Sequence, residues 1–160
     1  EGCLHACPRP DFSLHPVFVV KFNYFPDPLD PSLTYPLIPV KVKGPVGTIE
    51  LRCLVDSGAG FDSFPLSVAK EIGVPVESSP SDFVTGIGGR VPCYVYEVEI
   101  TIGPCSYKTQ AQFLPPVQLT SQKESVREIP PLLGRRNTFV NFKIVFDEAN
   151  QELELIPYPQ

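Results

Sequence analysis

The chain has 160 residues, of which 42% are hydrophobic and 19% charged, as is typical of one globular domain with its own core. Its net charge of −5 argues against nucleic acid or an anionic membrane surface as the main partner. No apolar run approaches the roughly 18 residues of a membrane-spanning helix, and we find no signal-peptide pattern at the start.

The cysteines predict reduced thiols rather than a disulfide framework. There are five, an odd number at irregular spacing, so we expect those in the body of the chain to be structural thiols in an intracellular, cytoplasmic setting. These are Cys53, Cys93 and Cys105. Near the start, Cys3 and Cys7, with His5 and His15, would supply half of a zinc site. Half a ligand set is a weak pattern, and we predict no metal and no other cofactor.

Prolines divide the chain. There are 20 of them, and they crowd the first forty positions, so residues 1–34 are predicted to be a proline-rich N-terminal arm or linker and residues 35–160 the folded domain. One strand-like run, Val17 to Phe25, interrupts the arm. This run would add to a sheet edge or to a partner.

From Tyr35 onward the pattern is a series of short β runs separated by turns. The predicted strands are Leu37–Val42, Ile49–Val55, Val91–Ile102, Tyr107–Leu114, Phe142–Phe146 and Leu153–Ile156. Residues 65–72 are predicted to be a helix that starts at Pro65 and stops at Gly73. Residues 135–141 would add one or two helical turns. Many strands with so few helical segments predict an all-β, barrel-like domain.

The segment Leu54–Ala59 reads Leu-Val-Asp-Ser-Gly-Ala and places an acid at the end of an apolar strand. Taken alone, Asp-Ser-Gly is ordinary turn chemistry. The apolar strand before it, however, predicts that Asp56 lies against a core rather than on a solvated loop. Asp56 is therefore a candidate catalytic carboxylate, with Ser57 and Gly58 beside it.

Two other segments have weaker meanings on their own. The first contains three glycines around one isoleucine between β runs, which predicts a hairpin tip that is either a mobile loop or a flap closing over a bound chain. Its residues are Gly86, Ile87, Gly88 and Gly89. The second predicts only a buried strand followed by a turn. Its residues are Leu132, Leu133, Gly134 and Arg135.

In this order, the three segments resemble the retroviral-type (retropepsin-like) aspartic proteases over roughly residues 35–157. That family has an apolar pair before Asp-Thr/Ser-Gly-Ala, then a glycine-rich flap, then two apolar residues followed by Gly-Arg. The resemblance implies a closed acid-protease barrel with a flap hairpin and the hydrolysis of peptide bonds. It also implies a homodimer, because each chain has a single such aspartate and the reaction needs two carboxylates that share a proton. An extended polypeptide would be the substrate.

The resemblance also implies roles for single residues. Asp56 would act with its copy in the second subunit, Ser57 would hydrogen-bond across the dimer axis, and Gly58 would support the carboxylate. Substrate would bind along Ala59 and under the flap residues Gly86, Ile87, Gly88 and Gly89 as an added strand. The segment from Leu132 to Arg135 would support the loop structurally.

The sequence departs from the family pattern at two places. Viral members carry an acid directly after the alanine, which pairs with the arginine of Gly-Arg, but here the position is Gly60. Arg135 must then find another partner, and Asp62 is the nearest candidate in sequence. The C-terminal hairpin, residues 142–157, is longer than the short viral tail, so the dimer interface would differ, and the 17–25 run would be available for it.

Two functions other than hydrolysis remain open. One is a non-catalytic module of the same fold that binds an extended peptide, and the other is a scaffold whose barrel serves only to dimerise. Serine or cysteine catalysis is not favoured, because the only histidines, His5 and His15, lie in the proline-rich arm and no Gly-x-Ser-x-Gly motif occurs.

Overall fold

The computed structural model describes residues 18–78, 81–86, 89–118 and 126–159. Within these ranges the chain is mostly strand, with one short helix, α1 (Leu66–Glu71), and a 3-10 turn at Val76–Ser78. The strands are β1 (Val20–Asn23), β2 (Phe25–Pro26), β3 (Thr34–Tyr35), β4 (Leu37–Lys43), β5 (Thr48–Val55), β6 (Ser63–Pro65), β7 (Ser81–Gly86), β8 (Gly89–Ile102), β9 (Cys105–Leu114), β10 (Val117–Gln118), β11 (Val126–Arg127), β12 (Leu132–Leu133), β13 (Phe142–Asp147) and β14 (Glu152–Pro157).

The largest sheet closes on itself. Its 7 strands follow the order β4-β5-β12-β6-β9-β8-β7, and β4 also pairs with β8. This additional pairing joins the first strand to the sixth, so the strands between them form a ring and β7 projects from it as the free arm of a hairpin. The predicted all-β fold with a closed barrel is confirmed.

The barrel core follows from the alternation of side chains along its strands. In β4 the buried residues are Ile38, Val40 and Val42, and the lysines between and after them are exposed. Side chains at every second position share one face of a strand, so this face points into the barrel. The rings of Phe64 and Phe113 are fully buried in the core and pack against each other with their centroids 5.9 Å apart.

The two-residue strand β12 lies inside the sheet and sets the position of the loop above it. Leu132 and Leu133 pair in parallel with Leu54 and Val55 of β5, and Leu132 also pairs antiparallel with Ser63 of β6. The chain between β5 and β6 must therefore cross over the C-terminal end of β12. That connection contains Asp56.

A second, 3-stranded sheet has the order β1-β14-β13. The predicted C-terminal hairpin is confirmed, with Phe142 opposite Pro157 and Asp147 opposite Glu152. Strand β1, from the predicted strand-like run in the arm, adds to this hairpin as a sheet edge of the same chain. Residues 135–141, expected to make one or two helical turns, form a series of hydrogen-bonded turns, and the Thr138 N–H donates to the Gly134 carbonyl at 3.0 Å, the spacing of one α-helical turn.

Several expectations concern features that lie partly outside the described residues. The hypothesis of half a zinc site at Cys3, His5, Cys7 and His15 falls wholly there. Among the residues that are described, three or more His, Cys, Asp or Glu side chains do not come together as a metal site would require. The same part of the chain contains no helix both long and apolar enough to span a bilayer. The three cysteines in the body of the chain are free thiols, as expected.

We predict that Leu155→Ala lowers the free energy of unfolding by about 2–5 kcal/mol, because removing a buried leucine side chain leaves a cavity. Leu155 is 0% exposed and belongs to the same hydrophobic cluster as the barrel residues. Leu29, which is 96% exposed, provides a matched control, and Leu29→Ala should change stability by less than about 0.5 kcal/mol. Denaturant unfolding measures both. Equal small losses would mean that the hairpin is not part of the cooperative core.

Candidate active site

Asp56 occupies the first position after β5, where the chain turns over the end of β12. Its N–H donates to the Leu133 carbonyl at 3.1 Å, and its carbonyl accepts from Ala59 N–H at 3.1 Å, which closes a tight turn. The Gly58 N–H donates to Asp56 Oδ1 at 2.8 Å. The side chain is half-buried, and the backbone holds one of its two carboxylate oxygens.

Backbone contacts hold the rest of the loop against the residues that follow β12. Arg135 N–H donates to the Ala59 carbonyl at 3.0 Å, and Arg136 N–H donates to the Gly60 carbonyl at 2.9 Å. Between these contacts, a Cβ at position 134 would lie 2.6 Å from the Phe61 nitrogen and nearer still to its carbonyl group. Only glycine allows this approach without a shift of the backbone.

Asp62 anchors the far end of the loop from inside the protein. It is fully buried, and its Oδ1 accepts hydrogen bonds from Gly134 N–H at 2.6 Å and from the Thr138 hydroxyl at 2.9 Å. Its own N–H donates to Asn137 Oδ1 at 2.9 Å. Burial raises the pKa of Asp62 to about 7, although the hydrogen bonds from Gly134 and Thr138 act in the opposite direction.

The structure does not support Asp62 as the partner of Arg135. The Asp62 carboxylate faces the core, whereas the Arg135 side chain is exposed. Within the described ranges, the ion pairs closer than 4.0 Å do not include Arg135. A buried aspartate that already accepts from Gly134 and Thr138 has no need of a cation, so this expectation was wrong.

The glycine-rich segment is the turn between β7 and β8. The two strands pair from Ser81 opposite Tyr94 to Gly86 opposite Gly89, so the predicted hairpin is confirmed. Gly89 has a φ of +106°, a conformation that side chains disfavour. The tip residues Ile87 and Gly88 lie outside the described residues, and their predicted contact with substrate stays a prediction.

Loop and hairpin enclose a cavity of about 630 Å³. Its lining residues are Asp56, Gly58, Ala59, Gly60, Phe61, Ser63, Phe83, Val84, Thr85, Gln112, Leu132 and Arg136. The volume is in the range of ligand pockets in general. The cavity therefore brings the candidate carboxylate together with the strand that leads to the glycine-rich tip.

The predicted site residues differ in their relation to this cavity. Asp56, Gly58, Ala59 and Leu132 line it, whereas Ser57 is exposed on the loop. The buried Leu133 and Gly134 lie behind the loop and support it.

Sequence reasoning missed Phe61, Phe83 and Arg136 as lining residues. The available sequence signal was an aromatic residue, Phe83, three positions before the glycine-rich tip; in the structure its side chain is 51% exposed.

A solved structure has the same architecture. The crystal structure of a retropepsin-like aspartic protease from Rickettsia conorii matches this chain with a TM-score of 0.54 and 14% sequence identity, over 89% of this chain and 95% of that one. No protein-family model and no curated protein matches the sequence. At this identity the likeness establishes the fold: the chain has a retropepsin-like all-β fold.

We predict that Gly134→Ala destabilises the protein by about 1–3 kcal/mol or more, because the added methyl group overpacks against the Phe61 backbone. Gly60 provides the control in the same loop, since a Cβ there meets nothing within 4 Å. Gly60→Ala should change the free energy of unfolding by less than about 0.5 kcal/mol. Denaturant unfolding of the pair tests this, and equal effects would contradict the close approach of β12 and the loop.

We also predict a pH dependence of stability from Asp62. Its pKa is raised to about 7 in the folded chain, so between about pH 4 and pH 7 the native state keeps a proton that the unfolded state has released. Stability should therefore fall as pH rises through this window, and Asp62→Asn should remove that fall. The measurement is the free energy of unfolding of both proteins from pH 4 to pH 8.

The control for this prediction is Asp147, whose pKa is shifted in the opposite direction from that of Asp62. Hydrogen bonds from Asn150 lower the pKa of Asp147, so its contribution is lost as pH falls below about 4. Asp147→Asn should leave the slope between pH 4 and pH 7 unchanged. A stability difference between wild type and Asp62→Asn that does not vary with pH would contradict the raised pKa.

Proposed function

We propose that the chain is one half of an aspartic endopeptidase. One observation carries the proposal: Asp56 lines a cavity of about 630 Å³ with one carboxylate oxygen held by the Gly58 N–H at 2.8 Å. A retropepsin-like fold around this loop supports it, and the Rickettsia protein of similar fold is described as an aspartic protease. The substrate would be an extended polypeptide.

The reaction needs a second carboxylate close to the first. One carboxylate takes a proton from water while the other, protonated, polarises the scissile carbonyl. Because the two carboxylates share one proton, one of them is ionised while the other is protonated. Asp62 does not serve as this second group, because it is buried and its Oδ1 faces Gly134 and Thr138. Asp56 is the one acidic residue that lines the cavity among the described residues.

The missing carboxylate is therefore the Asp56 of a second copy. Two loops related by a two-fold axis would bring their acids together, with the exposed Ser57 of each loop next to the axis. Dimerisation then completes the site instead of merely joining two complete sites. This explains how a chain with a single Asp-Ser-Gly segment would hydrolyse peptide bonds.

Substrate would bind between the loop and the β7-β8 hairpin. An extended peptide can use its backbone to pair with strand edges while alternate side chains enter pockets. Val84 and Thr85 line the cavity from the hairpin side, and Ala59 and Gly60 line it from the loop side. The residues Gly86 to Gly89 at the tip would close over the peptide and exclude water.

A non-catalytic peptide-binding module of the same fold is the second candidate. The same cavity and hairpin would hold an extended chain without cutting it. The position of Asp56 favours hydrolysis, because a carboxylate on the cavity wall is placed for acid–base chemistry on a bound chain. Binding alone would not require Asp56.

We predict that Asp56→Asn abolishes peptide cleavage and leaves the fold and the dimer intact, since the change is nearly isosteric. The decisive measurement uses mixtures of wild-type and Asp56→Asn chains. Inactive Asp56→Asn chain is titrated into wild type, at concentrations that keep the chains dimeric, with exchange verified by mass. Activity per wild-type chain should then fall as mixed dimers form, because each mixed dimer has only one ionisable acid.

Dilution provides an independent control. Below the dimer dissociation constant, specific activity should fall roughly in proportion to concentration by mass action. Constant activity per wild-type chain through verified exchange would mean that each chain holds a complete site. Binding of peptide without any cleavage by wild type would favour the non-catalytic module.

A further inference from the structure

One cationic side chain lines the cavity with Asp56. Of the lining residues, Asp56 is the one acid and Arg136 the one base, and the others are neutral. Arg136 lies two residues beyond the glycine that packs on the loop, and its N–H donates to the Gly60 carbonyl at 2.9 Å. The Cα atom of Arg136 is therefore held in place by the same backbone contacts that position the loop containing Asp56.

The guanidinium of Arg136 rests on an aromatic ring. Its Cζ is 5.1 Å from the ring centroid of Phe61, within the range of a cation–π contact. Stacking leaves the edge of a guanidinium, with its N–H donors, available to a carboxylate. Phe61 also lines the cavity, so the stacked arginine lies on the cavity wall.

The described part of the chain gives this guanidinium no carboxylate partner. The ion pairs found there within 4.0 Å involve lysines only. Arg136 is therefore more than 4.0 Å from the carboxylate of Asp56 and does not neutralise it. An exposed guanidinium on the wall of a partly apolar cavity, with no carboxylate within 4.0 Å among the described residues, is suited to bind an acid supplied by a ligand.

We propose that Arg136 is a specificity-determining residue that binds the carboxylate of a glutamate or aspartate side chain in the substrate peptide, close to the bond that is cut. This inference rests on the proposed peptidase function and names its substrate class. The overall charge of −5 would repel acidic peptides, so their selection requires a local cation. Arginine offers two parallel N–H donors to a carboxylate, which glutamine in the substrate cannot match.

The experiment compares matched peptides. A peptide library is digested with wild type and the products are identified by mass. Glutamate or aspartate in the best substrate is then replaced by glutamine or asparagine. We expect wild type to prefer the acidic peptide by about tenfold or more in kcat/KM, the ratio that corresponds to one charge-assisted hydrogen bond. The ratio of the two values is the readout, because a general loss of activity cancels in it.

Three variants of Arg136 test whether this residue causes the preference for the acidic peptide. Arg136→Gln should reduce the ratio to about one, and Arg136→Lys should restore part of it. Arg136→Glu should favour a lysine peptide over the acidic one. Arg52 provides the matched control, since it stacks on Phe25 at 3.9 Å and does not line the cavity, so Arg52→Gln should keep the wild-type ratio. An unchanged ratio in Arg136→Gln, or a wild-type ratio of one, overturns the proposal.

The two proposals can fail separately. If wild type cleaves no peptide, the endopeptidase proposal is wrong, and the same labelled peptides are tested for binding by fluorescence anisotropy. Preferential binding of the acidic peptide that is lost in Arg136→Gln would still support the role of Arg136. Equal binding of both peptides, or no binding, would overturn it. Cleavage without acidic preference would leave the endopeptidase intact and exclude Arg136 as the selecting residue.

Discussion

The close approach of Gly134 to the Phe61 backbone is the constraint on which the site depends. Because β12 is inserted between β5 and β6, the loop that joins those two strands must cross over the end of β12. The crossing is possible only where position 134 has no side chain. Backbone hydrogen bonds from Asp56, Arg135 and Arg136 then hold loop and strand together. These contacts set the backbone position of Asp56, and the Gly58 N–H holds one of its carboxylate oxygens.

The same crossing explains why two aspartates of one short loop have different properties. Asp56 lies at the start of the loop and faces the cavity, while Asp62 lies at its end and is buried beneath it. Burial of a carboxylate is unfavourable unless hydrogen bonds compensate. Here Gly134 N–H and the Thr138 hydroxyl compensate in part, and the Tyr107 hydroxyl extends the network at 2.7 Å from Thr138. Asp62 therefore holds the loop to the core, whereas Asp56 lines the cavity.

Much of this fold could be predicted from sequence, because strand alternation is a local signal. The run Leu37–Val42 was predicted as a strand and is observed as Leu37–Lys43. The strand pattern predicted a barrel-like domain and the family resemblance implied a closed one, but neither predicted the non-local pairing of β4 with β8 that closes it. Adjacent arginines show the limit of sequence reasoning: Arg135 and Arg136 are both exposed, but of the two only Arg136 lines the cavity. Only the turn after β12 decides between them, and no residue pattern encodes its direction.

The two-fold symmetry of the proposed site would affect how it recognises a substrate. A peptide has a direction, whereas two copies of this chain related by a two-fold axis do not distinguish its ends. In the proposed homodimer each half-cavity would contain its own Asp56, Phe61 and Arg136. The two arginines would then face side chains on opposite sides of the scissile bond. A substrate with an acidic residue on either side would therefore meet a cation, and one with acids on both sides would engage both subunits.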